Sequence, residues 1–198
     1  MKKIEIIWRE LLFQATNQKN RQFQQQQLAA KFGFSTSTVF QALKPLRKMG
    51  AVRVTGRFFI LEDIEKVLYH WASVRNLTSD IIYQTRVDLT IAEIEGQIPP
   101  QAVFACYSAA KYILKIAPAD YDSVYFYLPQ ANLSAAMQRF PLQKGRNNIF
   151  ILKADSYLAT YGQCTSLTHS FVDLWNLSDW YAKEFTTALK EKINDLLS

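Results

Sequence analysis

Cysteine is scarce in this chain, with only Cys106 and Cys164 among 198 residues. Two distant thiols cannot build a disulfide framework, and no zinc-site spacing accompanies them. Each sits in an apolar or small-residue setting, so both are expected as buried structural thiols. Histidine is equally rare. His70 lies on an amphipathic segment with no second metal ligand nearby. His169 has Asp173 four residues on, and no Ser or Cys elbow completes a triad, so the two read as a local polar pair. Glycine and proline number six each, and 49% of residues are apolar against 20% charged. That ordinary globular composition excludes wholesale disorder. Long apolar runs are missing too. No stretch approaches the roughly 18 uninterrupted apolar residues that cross a bilayer. The start, MKKIEIIWRELLFQ, puts two Lys before apolar residues as a secretory leader does. Glu5, Arg9 and Glu10 interrupt it, and no small-residue cleavage site follows. A cytoplasmic protein without membrane partner, cofactor or metal is expected.

The N-terminal third also lacks acid. Residues 1–62 hold 11 Lys+Arg and 3 Asp+Glu, a balance of +8, whereas residues 63–198 hold 12 and 14, a balance of −2. Together they give the net charge of +6. A basic module joined to a near-neutral one is the footprint of a nucleic-acid binder, because neutralising phosphate supplies most non-specific affinity.

The basic third has a matching pattern. Ile4, Ile7, Leu11, Trp8 and Leu12 space a helix from about Ile4 to Thr16. Asn17–Asn20 break it. The run Gln24–Gln27 reads as the first turns of a second helix ending at Phe32, with Gly33 as the turn. Ser35 stands at an N-cap position before a third helix beginning near Thr36. Ser35, Thr36, Ser37 and Thr38 carry hydroxyls suited to phosphate and base edges. Ser37, Gln41, Lys44 and Lys48 fall on one face of that helix, while Val39, Leu43 and Leu46 point to the core. Gln can bond an adenine edge, and Lys a guanine edge or a phosphate. Pro45 is expected to end or kink the helix after Leu43 or Lys44. Ala51–Val54 and Phe58–Leu61 flank Thr55-Gly56-Arg57 and read as a hairpin with Arg53 and Arg57 near its tip, poised for backbone phosphate. A helix pair followed by a hairpin is a winged helix-turn-helix. The stretch FGFSTSTVFQALKPLRKMGAVRV resembles bacterial and archaeal winged-helix regulators.

Beyond residue 62 the pattern changes. Asp63–Arg75 reads as an amphipathic helix, Ile81–Leu89 as a strand, and Ile91–Ile98 as a short ambiguous segment. Ala102–Ile116 reads as a helix, with Ser123–Leu128 and Asn148–Lys153 as strands. Two helices follow from Ser166, with Ser178 able to cap the second. The fold class expected is therefore α+β (mixed α/β). A DNA-binding domain over 1–62 precedes a C-terminal α/β domain over 63–198, with a small sheet and terminal helices. Ala105-Cys106-Tyr107-Ser108-Ala109-Ala110 before the strand SVYFYLP, and the later FVDLWNLSDWYAKEF, resemble elements of AbiEi-type antitoxins of the abortive-infection family. Where that family often has His-Gly after the small-residue helix, this chain has Lys115-Ile116-Ala117. The resemblance implies a repressor-antitoxin that neutralises a nucleotidyltransferase-like toxin encoded beside it.

The residues also offer an enzymatic alternative. Ser108, eleven residues, then Asp120-Tyr121-Asp122 matches the spacing of a nucleotidyltransferase turn and its magnesium carboxylates. Tyr107 replaces the glycine that lets backbone approach phosphate, and Asp120 and Asp122 follow Pro118 in an expected loop. The alternative is a transferase, active or decayed, with an appended winged helix. The preferred reading is a non-enzymatic, sequence-specific transcriptional regulator of double-stranded DNA. Homodimerisation stays open. So does a choice at Lys144–Asn148 between a basic turn and a secondary phosphate contact. Tyr157, Tyr161, Trp175, Trp180 and Tyr181 are expected mostly in the core, with exposed members marking a partner surface.

Overall fold

The amphipathic start of the chain folds into α1 (Lys3–Asn17), which buries Ile7, Trp8, Leu11 and Leu12. The computed structural model describes residues 1–197 of the chain, and over them the fold is mixed α+β. It divides into two compact units. The first is Met1–Arg75 with the chain from Ile193 onward, and the second is Asn76–Lys192. The division thus falls at residue 75, beyond the boundary at 62 expected from the sequence. Among the described residues no helix is long and apolar enough to cross a membrane.

In the first unit α2 (Gln25–Phe32) and α3 (Thr36–Lys48) follow α1, and α4 (Ile64–Val74) closes the set. Three short strands form one antiparallel sheet in the order β1 (Gln22–Phe23), β3 (Phe58–Leu61), β2 (Val52–Thr55). Trp8 Nε1 donates to the Ala42 carbonyl at 2.8 Å and ties α1 to α3. The membership of α4 has a clear cause. Trp71 is fully buried, and its Nε1 donates to Glu5 Oε2 at 3.1 Å. The Arg75 guanidinium lies 3.5 Å from the same oxygen, so a buried carboxylate of α1 is satisfied from α4. The helix interior needs both partners, because an unpaired buried charge costs several kcal/mol, about 3–5 when one partner is removed.

Of the two outcomes expected at Pro45, an end to the helix is corrected: α3 runs through it to Lys48. Proline removes the donor that would bond the Gln41 carbonyl. Gln41 is exposed, however, while Ala42, Leu43 and Leu46 are fully buried and hold both sides of the proline. The strand β1 was not expected at all.

The second unit is built on a four-stranded sheet ordered β4 (Ile81–Thr85), β7 (Ile149–Lys153), β6 (Val124–Leu128), β5 (Val103–Ala105). Only β6 and β7 are parallel. Every residue of β6 is buried. Val124, Phe126 and Leu128 belong to a cluster with Ile94, Ala136 and Phe140, from α5 (Ile91–Gln97), α7 (Leu133–Arg139) and its end. Alternation puts Tyr125 and Tyr127 on the other face. There Tyr125 meets Tyr107 of α6 (Cys106–Leu114), and Tyr127 meets His169 of α8 (Leu167–Trp175). Cover on both faces explains why the strand SVYFYL reads as a continuous apolar run rather than an alternating one. The last helix, α9 (Ala182–Leu197), starts in this unit, and its end from Ile193 belongs to the first.

The expected helix Ala102–Ile116 is corrected. Val103–Ala105 pairs with β6 as a strand, and Cys106, with φ +50°, turns the chain into α6. The strand expected to reach Leu89 ends at Thr85. Ser178 is not the cap of the final helix, which starts at Ala182. Cys106 is buried, but Cys164 is only partly so.

Candidate nucleic-acid interface

Gly33 makes the interface possible. It ends α2 in the left-handed region, φ +58° and ψ +31°. The Phe34 amide reaches back to the Ala29 carbonyl at 2.9 Å, and the Gly33 amide to Ala30 at 3.3 Å. These are the paired bonds of a Schellman motif, and they reverse the chain directly after α2. Ser35 then caps α3, its Oγ accepting from the Thr38 amide at 3.2 Å.

The helix so started is strongly two-sided. Val39, Ala42, Leu43 and Leu46 are fully buried. Thr36, Ser37, Gln41, Lys44 and Lys48 are exposed, and Arg47 with them. Because α3 continues through Pro45, Lys48 keeps its place on the exposed stripe. Two of the hydroxyls are otherwise engaged. Ser35 and Thr38 face each other at 3.0 Å within the cap, so their first role is to hold the helix start.

The hairpin separates the two arginines assigned to its tip. Thr55 and Phe58 pair across a two-residue turn of Gly56 and Arg57, with Gly56 at φ +36°. Arg57 is therefore at the tip and exposed. Arg53 is not at the tip. It pairs with Ile60 in the ladder, and its Nε donates to Glu62 Oε1 at 2.5 Å.

The charges of the segment are sorted by these contacts. All three acids of residues 1–62 are engaged: Glu5 with Arg75, Glu10 with Lys31 at 2.5 Å, and Glu62 with Arg53. Among the described residues, Lys44, Arg47, Lys48 and Arg57 have no carboxylate partner. Positive potential is thus left where α3 and the hairpin tip meet solvent. Between them runs a cleft of about 560 Å³, with Gln24, Gln25 and Thr36 on one side and Val54, Arg57 and Phe58 on the other. The glutamines of this cleft count from sequence only as helix formers, and their position at the first turn of α2, beside the capped start of α3, is the signal for a further role.

The residues of the enzymatic alternative do not assemble. Ser108 stands in the first turn of α6, not in an open turn. Asp120 and Asp122 lie in the loop before β6, so they do not alternate along a strand. Asp122 accepts from the Tyr181 hydroxyl at 2.5 Å and from Ser123 Oγ at 2.8 Å. Arg146 of the basic turn sits 3.3 Å from Asp122 and 3.8 Å from Asp179. Among the described residues no group of three or more His, Cys, Asp or Glu could hold a metal ion. His169 and Asp173 do meet, Nε2 to Oδ2 at 3.3 Å, both fully buried, with the Tyr127 hydroxyl donating to Asp173 at 2.7 Å. The His70 ring packs edge-on against Trp8 at 4.9 Å. Of the C-terminal aromatics, Tyr181 is buried, while Trp175 and Trp180 are 51% and 81% exposed. Comparison with protein-family models, with curated proteins and with solved structures finds no match to this chain.

Proposed function

We propose that the first unit binds double-stranded DNA through a winged helix-turn-helix carried within residues 1–62 and completed by α4, with α3 as the recognition helix and the β2–β3 hairpin as the wing. The observation that carries this reading is the solvent face of α3. It combines Gln41, a side chain able to bond a base edge, with Lys44 and Lys48, whose charges no carboxylate among the described residues neutralises. Base contacts specify and phosphate contacts position. Thr36, Ser37 and Gln41 are the specifying group, and Lys44, Lys48 and Arg57 the positioning group.

A protein of this design acts as a transcriptional regulator. The antitoxin role, with a nucleotidyltransferase-like toxin as partner, is supported by the motif resemblance. The exposed Trp175 and Trp180 offer apolar surface of the kind a protein partner uses. The test of DNA reading is selection of bound duplexes from a random-core library, followed by anisotropy titration. A selected sequence is expected. Gln41→Ala should weaken binding to it by about 1–3 kcal/mol and relax the preference at one position. If no sequence is enriched, or if Gln41→Ala selects the same sequence with the same affinity, α3 does not read bases. Co-expression with the adjacent reading frame tests the antitoxin role: rescue from its toxicity is the expected result.

A further inference from the structure

One side chain on the solvent face of α3 is left without a role by the fold. Phe40 is 43% exposed, on a helix whose other outward residues, Thr36, Ser37, Gln41, Lys44, Arg47 and Lys48, are all polar or cationic. Other phenylalanines of the unit are packed. Phe23 stacks on Phe59 with centroids 5.4 Å apart, and Phe32 on Phe34 at 5.7 Å. Among the described residues no aromatic ring or cation stacks on Phe40. The exposed part of its ring gains nothing from burial, and phenylalanine forms a helix less readily than alanine, lysine or glutamine would at the same position.

Its place on α3 is specific. At about 100° and 1.5 Å per residue, Phe40 and Gln41 stand at nearly the same height and flank the stripe of Ser37 and Lys44, one on each side. Both lie in the second turn after the Ser35 cap, in the half of a recognition helix that meets base edges. Lys44 follows Phe40 by one turn and Arg47 by two, and neither has a carboxylate partner among the described residues. An apolar groove on a second protein would have to bury these cations beside the ring, which is costly without carboxylates to pair them. The major groove of DNA offers both things the face needs. Phosphates run along its rims, and its floor carries one apolar group, the C5 methyl of thymine.

We propose that Phe40 is a specificity-determining residue whose ring packs against the C5 methyl of a thymine, beside the base edge that Gln41 bonds. The inference rests on the reading of α3 as a recognition helix. It adds the chemical identity of one base pair in the site, an A·T pair chosen through its methyl group rather than through a hydrogen bond.

The test uses the full chain and the duplex it selects from a random-core library. Each thymine is replaced in turn by 2′-deoxyuridine, which removes the methyl and keeps every hydrogen-bonding group, and each duplex is titrated by fluorescence anisotropy. At one position the unaltered protein should bind about fourfold more weakly, the equivalent of one buried methyl. Phe40→Ala should bind the unmodified duplex at least about fourfold more weakly and be insensitive to that replacement. Its slope of log K against log salt should not change, because no cation is lost. Phe40→Leu keeps an apolar end and should retain a sensitivity of about twofold. Phe40 is exposed, so an unchanged circular dichroism melt will show both variants folded. Indifference to deoxyuridine at every position, a selected site without thymine, or a loss that persists undiminished in Phe40→Ala overturns the methyl contact. Each leaves binding by α3 standing, since the salt slope and Gln41→Ala report on that separately. If no sequence is enriched, the recognition-helix reading is overturned and the methyl contact falls with it.

Discussion

At the residue scale, the same charge has different meaning in different company. Arg53 and Arg57 lie on one hairpin, yet Glu62 neutralises the first and no carboxylate among the described residues neutralises the second. The Arg53–Glu62 pair is largely exposed, so it adds little stability of its own. Its effect is on the electrostatic field around the hairpin. Arg57→Ala should weaken binding about equally on all sequences and reduce the slope of log K against log salt by roughly 1. Arg53→Ala should change the slope less, because it removes a cation whose charge was already balanced. Equal slopes for the two variants in a salt-dependent anisotropy series would refute the distinction. Glu95 gives a second single-residue outcome. Burial works to raise its carboxyl, but bonds from Lys111 Nζ at 2.8 Å and the Tyr121 hydroxyl at 2.6 Å outweigh it and hold the group below its usual range. These bonds therefore stabilise the fold above the unfolded-state value and are lost as pH falls through the folded one. Glu95→Gln should cost about 1–3 kcal/mol at neutral pH. The difference from the unaltered protein should shrink below a pH of about 4. Urea unfolding at several pH values measures it, and a penalty independent of pH would mean that the charge of Glu95 is immaterial.

At the scale of elements, Pro45 is the informative case. A proline inside an exposed helix costs about 3 kcal/mol relative to alanine, and its rigidity in the unfolded chain returns about 0.4–1 kcal/mol. Here it sits in α3 with its neighbours fully buried. Pro45→Ala should therefore stabilise the protein by about 2 kcal/mol, seen as a higher denaturation midpoint at unchanged m. A destabilised variant would show that the proline ring packs better than the restored helix bond. The sequence supported a stop at Pro45 because local rules see the missing donor and not the tertiary contacts that override it. Elsewhere local rules sufficed. Gly33 and the apolar period of α1 to α3 placed those helices, and Gly56 placed the hairpin. They failed at β5, where Val103-Phe104-Ala105-Cys106 is apolar throughout and only pairing with β6 tells strand from helix. They failed at β1 because two residues carry no period. The stripe on α3 was legible as spacing, while the engagement of Ser35 and Thr38 in the cap, and of Arg53 with Glu62, needed three-dimensional distances.

At the scale of the whole molecule, charge and packing place the end of the proposed DNA-binding unit differently. Residues 1–62 carry the basic excess, and residues 63–75 add two charges of each sign, so charge alone cannot place the boundary. Packing can. Val67, Leu68 and Trp71 of α4 are buried, and Trp71 and Arg75 are the partners of buried Glu5. A fragment ending at 62 would expose the apolar face that α4 covers and open Glu5 to water, losing the burial of Val67, Leu68 and Trp71 at about 1.5–3 kcal/mol per large apolar side chain, in a unit too small to spare it. Residues 1–75 should therefore unfold cooperatively, and residues 1–62 should not. The longer fragment will be less stable than the intact protein, because the chain from Ile193 onward belongs to the same unit. Circular dichroism with thermal or urea unfolding decides this first step. The folded 1–75 fragment should then bind duplex DNA with the salt dependence of the full chain, and residues 76–192 should show no salt-sensitive binding. If residues 1–62 melt as sharply as 1–75, α4 is dispensable and the boundary at Arg75 is misplaced. If residues 76–192 bind DNA tightly while folded 1–75 does not, the basic face of α3 is not the DNA-binding surface.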